Sequence, residues 1–221
     1  MSITQTFYDN LASQYDKLFL DWQATTQAIG LAAIGYNVTG SDISEGEISE
    51  AKERAKKNNV EVRFEQANFC ALSDTFVERF DIVIAMDNAS PHMLTSDDLV
   101  SAIRSIVNQI KSGGIFVASI RDYDALLMDK PPYSPPYIHK TAKGQRVSFQ
   151  TWSWEGDNYR LIQYIVDDED ALQVSKFECE YRATRREEMT DLLKENGRCE
   201  VVWMFPEETG FYQPIVVARK A

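Results

Sequence analysis

A carboxylate follows a short apolar stretch near the start of the chain. Residues 36–44 read YNVTGSDIS, which predicts a strand that ends at Asp42 and a helix that begins shortly afterwards. One carboxylate can accept hydrogen bonds from both hydroxyls of a ribose, and α/β sheets that bind nucleoside cofactors place an acidic residue at this point. The alternative role of Asp42 is to cap the next helix, although Ser44 is also available as that cap. We expect Asp42 to bind a nucleoside.

The glycine-rich half of such a nucleoside site is missing. A G-x-G turn ordinarily precedes the acidic strand end by about 20 residues. No G-x-G occurs upstream of Asp42, and only three residues separate Trp22 from a predicted helix that begins near Thr26. The sequence therefore indicates one half of a cofactor site.

Two further polar residues follow predicted apolar strands. Arg121 offers a planar fork of two donors that matches a carboxylate, and its alternative role is an ion pair with Asp122 or Asp124. The amide oxygen of Asn88 could orient a substrate amine, and its alternative role is an Asx turn before Pro91. Both residues are therefore candidates for contacts with a small polar ligand.

Hydrophobic periodicity predicts alternating helices and strands over the first 120 residues. The predicted helices cover 6–22, 26–34, 45–58 and 97–110, and the predicted strands cover 36–41, 60–67, 81–86 and 115–120. This order predicts a doubly wound, mostly parallel sheet. The run DIVIAM at 81–86 is typical of a strand that is buried on both faces.

The pattern changes after residue 128. Four prolines fall within 129–144, which predicts a long loop, and strands are predicted at 147–154, 159–166 and 172–182, the first two as a hairpin. Thr184 and Glu187 predict a capping box for the last helix, and 201–205 with 213–218 predict an antiparallel pair. We expect one domain over 1–221: an N-terminal helical segment at 1–25, a core at 26–128, a lid loop with antiparallel strands at 129–183, and the final helix with a strand pair at 184–221.

Composition narrows the class of protein. The 221 residues carry a formal net charge of -11, which disfavours binding to nucleic acids or anionic membranes because such binding needs a positive field. Three cysteines without ligand spacing and two histidines predict reduced thiols and no metal site. The chain shows no signal-peptide pattern at its start and no apolar run of about 18 residues. We expect a cytoplasmic protein.

Several sequence blocks together resemble a known family. They are FYDNLASQYD at 7–16, the strand end at Asp42, QANF at 66–69, MDNASPH at 86–92 and IRDYD at 120–124. With them the chain resembles the class I S-adenosylmethionine-dependent methyltransferases, and within these the glycine and glycine/sarcosine N-methyltransferases. The resemblance implies a Rossmann-like α/β fold with helices on both faces of a mostly parallel sheet, plus an antiparallel C-terminal extension. It also implies S-adenosylmethionine as cofactor and S-adenosylhomocysteine as product.

The resemblance implies roles for particular residues. Asn88 and Arg121 would be catalytic and would bind the methyl acceptor together with Tyr137 and His139, which lie in the loop expected to cover the site. The implied cofactor-binding residues are Tyr15, Trp22, Asp42, Ile43, Asn68, Phe69, Met86 and His92. Structural alternatives remain for some of them: helix packing for Tyr15 and Trp22, loop ordering for Asn68, core packing for Phe69 and an ordinary loop position for His92.

The chain departs from this family where the first strand should stand. Members carry a strand and a G-x-G turn just before the helix that begins here near Thr26, so roughly 30 residues or more are absent, about one strand-and-helix unit. That strand occupies the centre of the sheet, beside the ligand-binding crevice. Its loss should leave two apolar strands without a shared neighbour.

The predicted function is methyl transfer from S-adenosylmethionine to a small amino acid such as glycine or sarcosine, which in this family serves betaine synthesis or methyl balance. One alternative keeps the cofactor but uses another small acceptor. Another alternative is a non-catalytic methyltransferase-like binding domain. We expect no nucleic-acid or membrane partner, while a homo-oligomer remains open.

Overall fold

The computed structural model describes residues 5–6, 27–140, 144–168 and 171–221. The chain divides into two compact units. The first consists of the residues up to Ala67 together with Pro132–Trp152 and Arg160–Cys179, and the second consists of Asn68–Pro131, Ser153–Tyr159 and Glu180–Ala221. The predicted N-terminal helix, with Tyr15 and Trp22, lies outside the described residues.

Helices and strands alternate along most of the described chain. In chain order they are α1 Gln27–Ala33, β1 Thr39–Asp42, α2 Glu45–Lys57, β2 Arg63–Gln66, β3 Phe80–Ala85, α3 Ser96–Asn108, β4 Ile110–Ser119, α4 Tyr123–Asp129, β5 Tyr137–Lys140, β6 Gln145–Glu155, β7 Asn158–Asp167, β8 Gln173–Arg182, α5 Arg186–Gly197, β9 Glu200–Met204, α6 Pro206–Thr209 and β10 Ile215–Arg219. Two 3-10 turns cover Phe69–Asp74 and Ser90–His92. None of the helices in these ranges combines the length and apolar character that crossing a lipid bilayer requires.

Strands β1 and β2 pair in parallel, with Asp42 opposite Gln66. Helix α2 begins after Ser44, whose Oγ accepts a hydrogen bond from the N–H of Glu47 at 3.1 Å and satisfies a donor of the first turn. The core beneath these elements includes Phe64, and a Cβ added at Gly40 would lie only 2.7 Å from its ring. Glycine at position 40 therefore allows the β1 backbone to approach this aromatic side chain closely.

Strands β5 to β8 form a four-stranded sheet in the order β5-β6-β7-β8. The predicted hairpin is present as β6 and β7, and the strand predicted at 172–182 as β8. Strand β5 corrects the prediction of a loop throughout 129–144, since it pairs antiparallel to β6 from Tyr137 opposite Ser148 to Lys140 opposite Gln145. All four prolines precede Tyr137, so their missing N–H groups do not interrupt this ladder.

The second unit contains a sheet in the order β3-β4-β10-β9. Strand β3 runs parallel to β4, and β10 runs antiparallel to both β4 and β9, so the predicted terminal antiparallel pair is confirmed. Helix α3 begins after Thr95, whose Oγ1 accepts the N–H of Asp98 at 3.1 Å. Its apolar residues Leu99, Ile103 and Ile106 are buried.

The prediction that β3 is buried on both faces is wrong. Ile82 and Ile84 are 50% and 40% exposed. Among the described strands β3 pairs only with β4, and β1 pairs only with β2. These strands therefore belong to two separate sheets, where the sequence predicted one sheet. The expectation that two strands would lack a shared neighbour is confirmed. Ile84 is in register with Val117, Val217 and Val202 across the four strands, and none of these four side chains is buried.

The predicted capping box of the last helix is also wrong. Helix α5 begins at Arg186 with Arg185 as its N-cap residue. The Thr184 hydroxyl is fully buried and has no hydrogen-bond partner within the described part of the chain. The third helical position is therefore Glu188, and this carboxylate pairs with Arg182 at 2.7 Å instead of capping the helix.

Candidate acceptor-binding site

The turn that follows β3 is fixed against the end of β4. Asp87 and Asn88 both adopt left-handed backbone conformations, with φ of 58° and 68°, and Asn and Asp tolerate this region better than most residues. The N–H of Asp87 donates to Ser119 Oγ at 2.7 Å, and the N–H of Asn88 donates to the Ser119 carbonyl at 3.1 Å. The two side chains are thus held at the carboxyl end of the parallel pair β3–β4.

Asn88 uses its amide oxygen within the protein. Oδ1 accepts the backbone N–H of Arg121 at 3.1 Å and the hydroxyl of Tyr123 at 3.0 Å. Because a backbone N–H can only donate, the amide oxygen must face Arg121. The predicted use of this oxygen to orient a substrate amine is therefore corrected. The Asn88 Nδ2 group is buried without a hydrogen-bond partner in the described residues, so a donor remains for a ligand.

Arg121 directs its guanidinium toward two tyrosines. Nη1 donates to the Tyr159 hydroxyl at 2.6 Å, and Cζ lies 5.5 Å from the centre of the Tyr181 ring. The alternative that Arg121 pairs with Asp122 or Asp124 does not hold, because both carboxylates pair with Arg186. A permanently charged guanidinium thus contacts the hydroxyl of Tyr159 and the ring face of Tyr181.

A chain of hydroxyl groups links Arg121 to Asn88. The Tyr159 and Tyr123 oxygens are 2.9 Å apart. Since the guanidinium donates to Tyr159 and Tyr123 donates to Asn88, Tyr159 must donate to Tyr123. Burial raises the pKa of the Tyr123 hydroxyl well above its usual range, so Tyr123 keeps the proton that it donates to Asn88.

His92 lies beside the Tyr181 ring, which Arg121 also contacts. Its ring centre is 4.4 Å from that of Tyr181. Burial, followed by the positive charge of Arg121, lowers the pKa of His92 from 6.5 to about 3. His92 is therefore neutral at physiological pH, and the guanidinium is the positive group of this cluster.

Asp42 and Ile43 lie in the first unit, at the end of β1. Asp42 Oδ1 accepts the N–H of Ser44 at 2.8 Å, and the Ile43 carbonyl accepts Gln66 Nε2 at 2.9 Å. Ser44, not Asp42, caps α2. The Asp42 carboxylate instead orders the turn and is only half-buried.

The other predicted cofactor residues differ in exposure. Asn68 is exposed and caps a 3-10 turn by accepting the N–H of Cys70 at 2.9 Å, as its loop-ordering alternative supposed. Phe69 and Met86 are half-buried.

The predicted acceptor residues are divided between the two units. Tyr137 and His139 belong to the first unit, whereas Asn88 and Arg121 belong to the second. Tyr137 is 55% exposed and His139 only 1%, and their ring centres are 4.3 Å apart.

Sequence reasoning missed Tyr159 and Tyr181 as site residues. Their rings stack on the neighbouring strands β7 and β8 with centres 5.5 Å apart and an angle of 18° between the planes. Both tyrosines occur in ordinary strand patterns that contain no motif. Tyr123 lies in the block IRDYD at 120–124, so the sequence did contain a signal for this residue.

Comparisons with known proteins agree with the fold. Residues 25–114 match the family model described as a methyltransferase domain. A glycine/sarcosine N-methyltransferase from Aphanothece halophytica is 26% identical over 141 residues, which are 64% of this chain and 48% of that protein. The enzyme of the same name from Parasynechococcus marenigrum is 23% identical over 151 residues, with 56% of this chain and 53% of that protein covered. The chain spans about half the length of these curated relatives.

Solved structures resemble the whole chain. An S-adenosylmethionine-dependent methyltransferase from Clostridium acetobutylicum superimposes with a TM-score of 0.74 at 17% identity, over 97% of this chain and 99% of that one. DesVI from Streptomyces venezuelae gives a TM-score of 0.70 at 15% identity, over 97% and 92%. The S-adenosylmethionine-bound amino pentose methyltransferase CalS10 gives 0.68 at 15% identity, over 100% and 92%.

The fold is therefore that of the class I S-adenosylmethionine-dependent methyltransferases, and the predicted fold class is confirmed. Within this fold, residues 25–114 are the part that matches the methyltransferase domain model. S-adenosylmethionine, the predicted cofactor, is the cofactor of this class.

Proposed function

We propose that the protein is an N-methyltransferase that moves a methyl group from S-adenosylmethionine to a small amino acid such as glycine or sarcosine. The observation that carries this proposal is the Arg121 guanidinium, held by the Tyr159 hydroxyl at 2.6 Å at the carboxyl end of β4. In open α/β sheets ligands bind at the carboxyl ends of the strands. The two curated relatives, named as glycine/sarcosine N-methyltransferases, support the same acceptor.

The acceptor carboxylate would bind Arg121 and Asn88 together. A guanidinium presents two parallel N–H donors to a carboxylate, and the buried Asn88 Nδ2 group supplies a third donor nearby. Tyr159 and Tyr123 position both residues through the hydroxyl chain. Arg121 and Asn88 would thus fix the acceptor in place for the reaction.

Separate residues are proposed for the cofactor. The Asp42 carboxylate would accept hydrogen bonds from the ribose hydroxyls, with Ile43 beside it. Asn68 and Phe69 would contact adenine through an amide and an aromatic face, and Met86 and neutral His92 would complete the contacts. Tyr15 and Trp22 remain predictions from the sequence, as do Tyr137 and His139 for the acceptor and a cytoplasmic location.

Methyl transfer is an in-line displacement. The amine lone pair forms the new N–CH₃ bond while the S–CH₃ bond breaks and leaves its electron pair on sulfur. Catalysis then consists mainly of holding the nitrogen in line with the methyl carbon. A carboxylate held by Arg121 at one end of a small amino acid restricts where its nitrogen can lie.

The activity test measures S-adenosylhomocysteine formation with glycine or sarcosine. Arg121→Ala should lower kcat/KM by about a hundred-fold or more, because it removes a charge-assisted hydrogen-bond pair. Arg79→Ala is the matched control, since Arg79 is exposed, and it should leave kcat/KM unchanged. Full activity of Arg121→Ala on its true acceptor would contradict the proposed carboxylate site and would favour a different small acceptor.

A second test separates an enzyme from a non-catalytic binding domain. Calorimetry with S-adenosylhomocysteine should show saturable binding, weakened by Asp42→Asn because an amide replaces one carboxylate oxygen with an N–H₂ donor. Absence of heat at millimolar ligand would favour the non-catalytic alternative.

A further inference from the structure

The turn after β3 carries a carboxylate for which the proposed function has no role. Asp87 directly precedes Asn88, and its N–H is fixed by Ser119 Oγ. That hydroxyl in turn donates to Gln213 Oε1 at 3.0 Å in the interior. The backbone from which the Asp87 carboxylate projects is therefore held by two elements, β4 and the segment that leads into β10.

Tyr212 orients this carboxylate. Its hydroxyl donates to Asp87 Oδ1 at 2.8 Å, and Tyr212 is 64% exposed. Although most of the Tyr212 side chain is exposed, its hydroxyl lies against Asp87. Partial burial of this hydroxyl raises its pKa, Asp87 raises it further, and the positive charge of Arg121 opposes them. Asp87 follows β3 and Arg121 follows β4, so the two residues lie at the same end of this parallel pair.

We propose that the Asp87 carboxylate, oriented by Tyr212, binds the amino group of the methyl acceptor while Arg121 binds its carboxylate. This inference rests on the proposed function and narrows the acceptor to zwitterionic amino acids with a primary or secondary amine. A carboxylate and a guanidinium at one end of the sheet complement the two opposite charges of such a molecule.

The same carboxylate suits the charge change of the reaction. The bound ammonium first releases one proton to solvent, which leaves a neutral amine. When the lone pair of this amine forms the N–CH₃ bond, the nitrogen again becomes a positively charged alkylammonium, and the sulfonium becomes a neutral thioether. A nearby carboxylate stabilises that developing positive charge. The alkylammonium then leaves with its proton or releases it to solvent, and Asp87 itself is not consumed.

Two ligands of nearly equal size separate the amine contact from the carboxylate contact. Sarcosine carries a carboxylate and an ammonium, whereas methoxyacetate has the same carboxylate with an ether oxygen in place of the nitrogen. Asp87→Asn in the intact chain should weaken sarcosine binding by about ten-fold or more. Methoxyacetate binding should stay unchanged or become stronger, because it has no ammonium for Asp87 to bind. Binding is measured by calorimetry in the presence of S-adenosylhomocysteine.

Asp81→Asn is the matched control. Asp81 lies near the opposite end of β3, is largely exposed and pairs with Lys111 at 2.9 Å. This substitution makes the same charge change and should alter the binding of neither ligand. Tyr212→Phe, which removes the orienting hydroxyl but keeps the carboxylate, should selectively weaken sarcosine and supplies a second test where Asp87→Asn fails to fold.

The outcomes distinguish the two proposals. If Arg121→Gln weakens both ligands while Asp87→Asn and Tyr212→Phe weaken neither or both equally, the Asp87 inference is wrong and the proposed function stands. If Arg121→Gln weakens neither ligand, or the unsubstituted chain binds neither, the proposed function fails and the Asp87 inference fails with it.

Discussion

At the scale of single residues, the direction of the hydrogen bonds decides what Asn88 can do. The amide oxygen is engaged by a backbone N–H and by a tyrosine hydroxyl, whereas the buried N–H₂ group has no partner among the described residues. From the sequence, an asparagine after an apolar strand offers an oxygen and a nitrogen equally. Only the positions of Arg121 and Tyr123 determine which of the two is already used.

His92 leads to a prediction about acid stability. Its pKa of about 3 in the folded protein lies below its ordinary value near 6.5, so protonation favours the unfolded chain. The stability that neutral His92 contributes is present above pH 6.5 and is lost as the pH falls from 6.5 toward 3. His92→Gln should therefore lose less stability on acidification, by up to about 1 kcal/mol per pH unit.

Urea unfolding of both proteins between pH 7 and pH 4.5 measures this difference, since most carboxylates titrate at lower pH. Equal pH dependence of the two free energies of unfolding would show that protonated His92 is tolerated beside Arg121 and Tyr181.

At the scale of helices and strands, capping side chains show why the predicted start of one helix is confirmed and that of another is wrong. Ser44 and Thr95 precede predicted helices and do cap them. Thr184 fits the same sequence rule, but the helix begins one residue later than that rule requires and its hydroxyl is buried. Local sequence defines which residues are able to cap, and tertiary packing decides which of them reaches the helix end.

Two matched substitutions should therefore have opposite effects. Thr184→Val removes a buried hydroxyl that has no partner among the described residues, and it should leave stability unchanged or raise it by about 1 kcal/mol. Thr95→Val removes the α3 cap and should cost about 1 kcal/mol. Thermal unfolding measures both effects, with about 2–4 °C expected per kcal/mol. A loss of stability in Thr184→Val comparable to that in Thr95→Val would indicate that the Thr184 hydroxyl makes a bond.

Strand β3 shows how far a strand pattern predicts burial. A continuous apolar run predicts a strand covered on both faces, and the run at 80–85 does form a strand. Coverage, however, depends on which neighbours are present, and β3 pairs with β4 alone among the described strands. The strand was thus predictable from its own residues, whereas its exposure was not.

At the scale of the whole molecule, one face of the sheet β3-β4-β10-β9 presents exposed aliphatic side chains. Ile84 and Val202 are 40% and 59% exposed at the two edge strands of this sheet, with Val117 and Val217 in register between them. Contiguous exposed apolar surface of this kind differs from the single exposed apolar residues that every protein carries.

This aliphatic face should bind a neutral hydrophobic dye such as Nile red. The double substitution Ile84→Thr with Val202→Thr should lower the dye fluorescence by roughly half, because it places hydroxyls at both edges of the face. Val77→Thr is the control, since Val77 is 97% exposed but lies outside this sheet, and it should have no effect. Equal dye binding by all three proteins would mean that the dye reports on another surface.

The sequence by itself determined the order of most helices and strands, because periodicity and capping residues are local properties that the chain carries in every environment. It also made Asn88 and Arg121 candidate site residues, since a polar residue after an apolar strand can be recognised without knowledge of its neighbours. The tertiary structure decided that Arg121 contacts Tyr159 and Tyr181, which are distant in sequence, and that Asp122 and Asp124 pair with Arg186 instead. The separation of β1–β2 from β3–β4 among the described strands was expected from the missing first strand. The exposure of Ile82 and Ile84, by contrast, was decided by the tertiary structure, because burial depends on which elements pack against a strand.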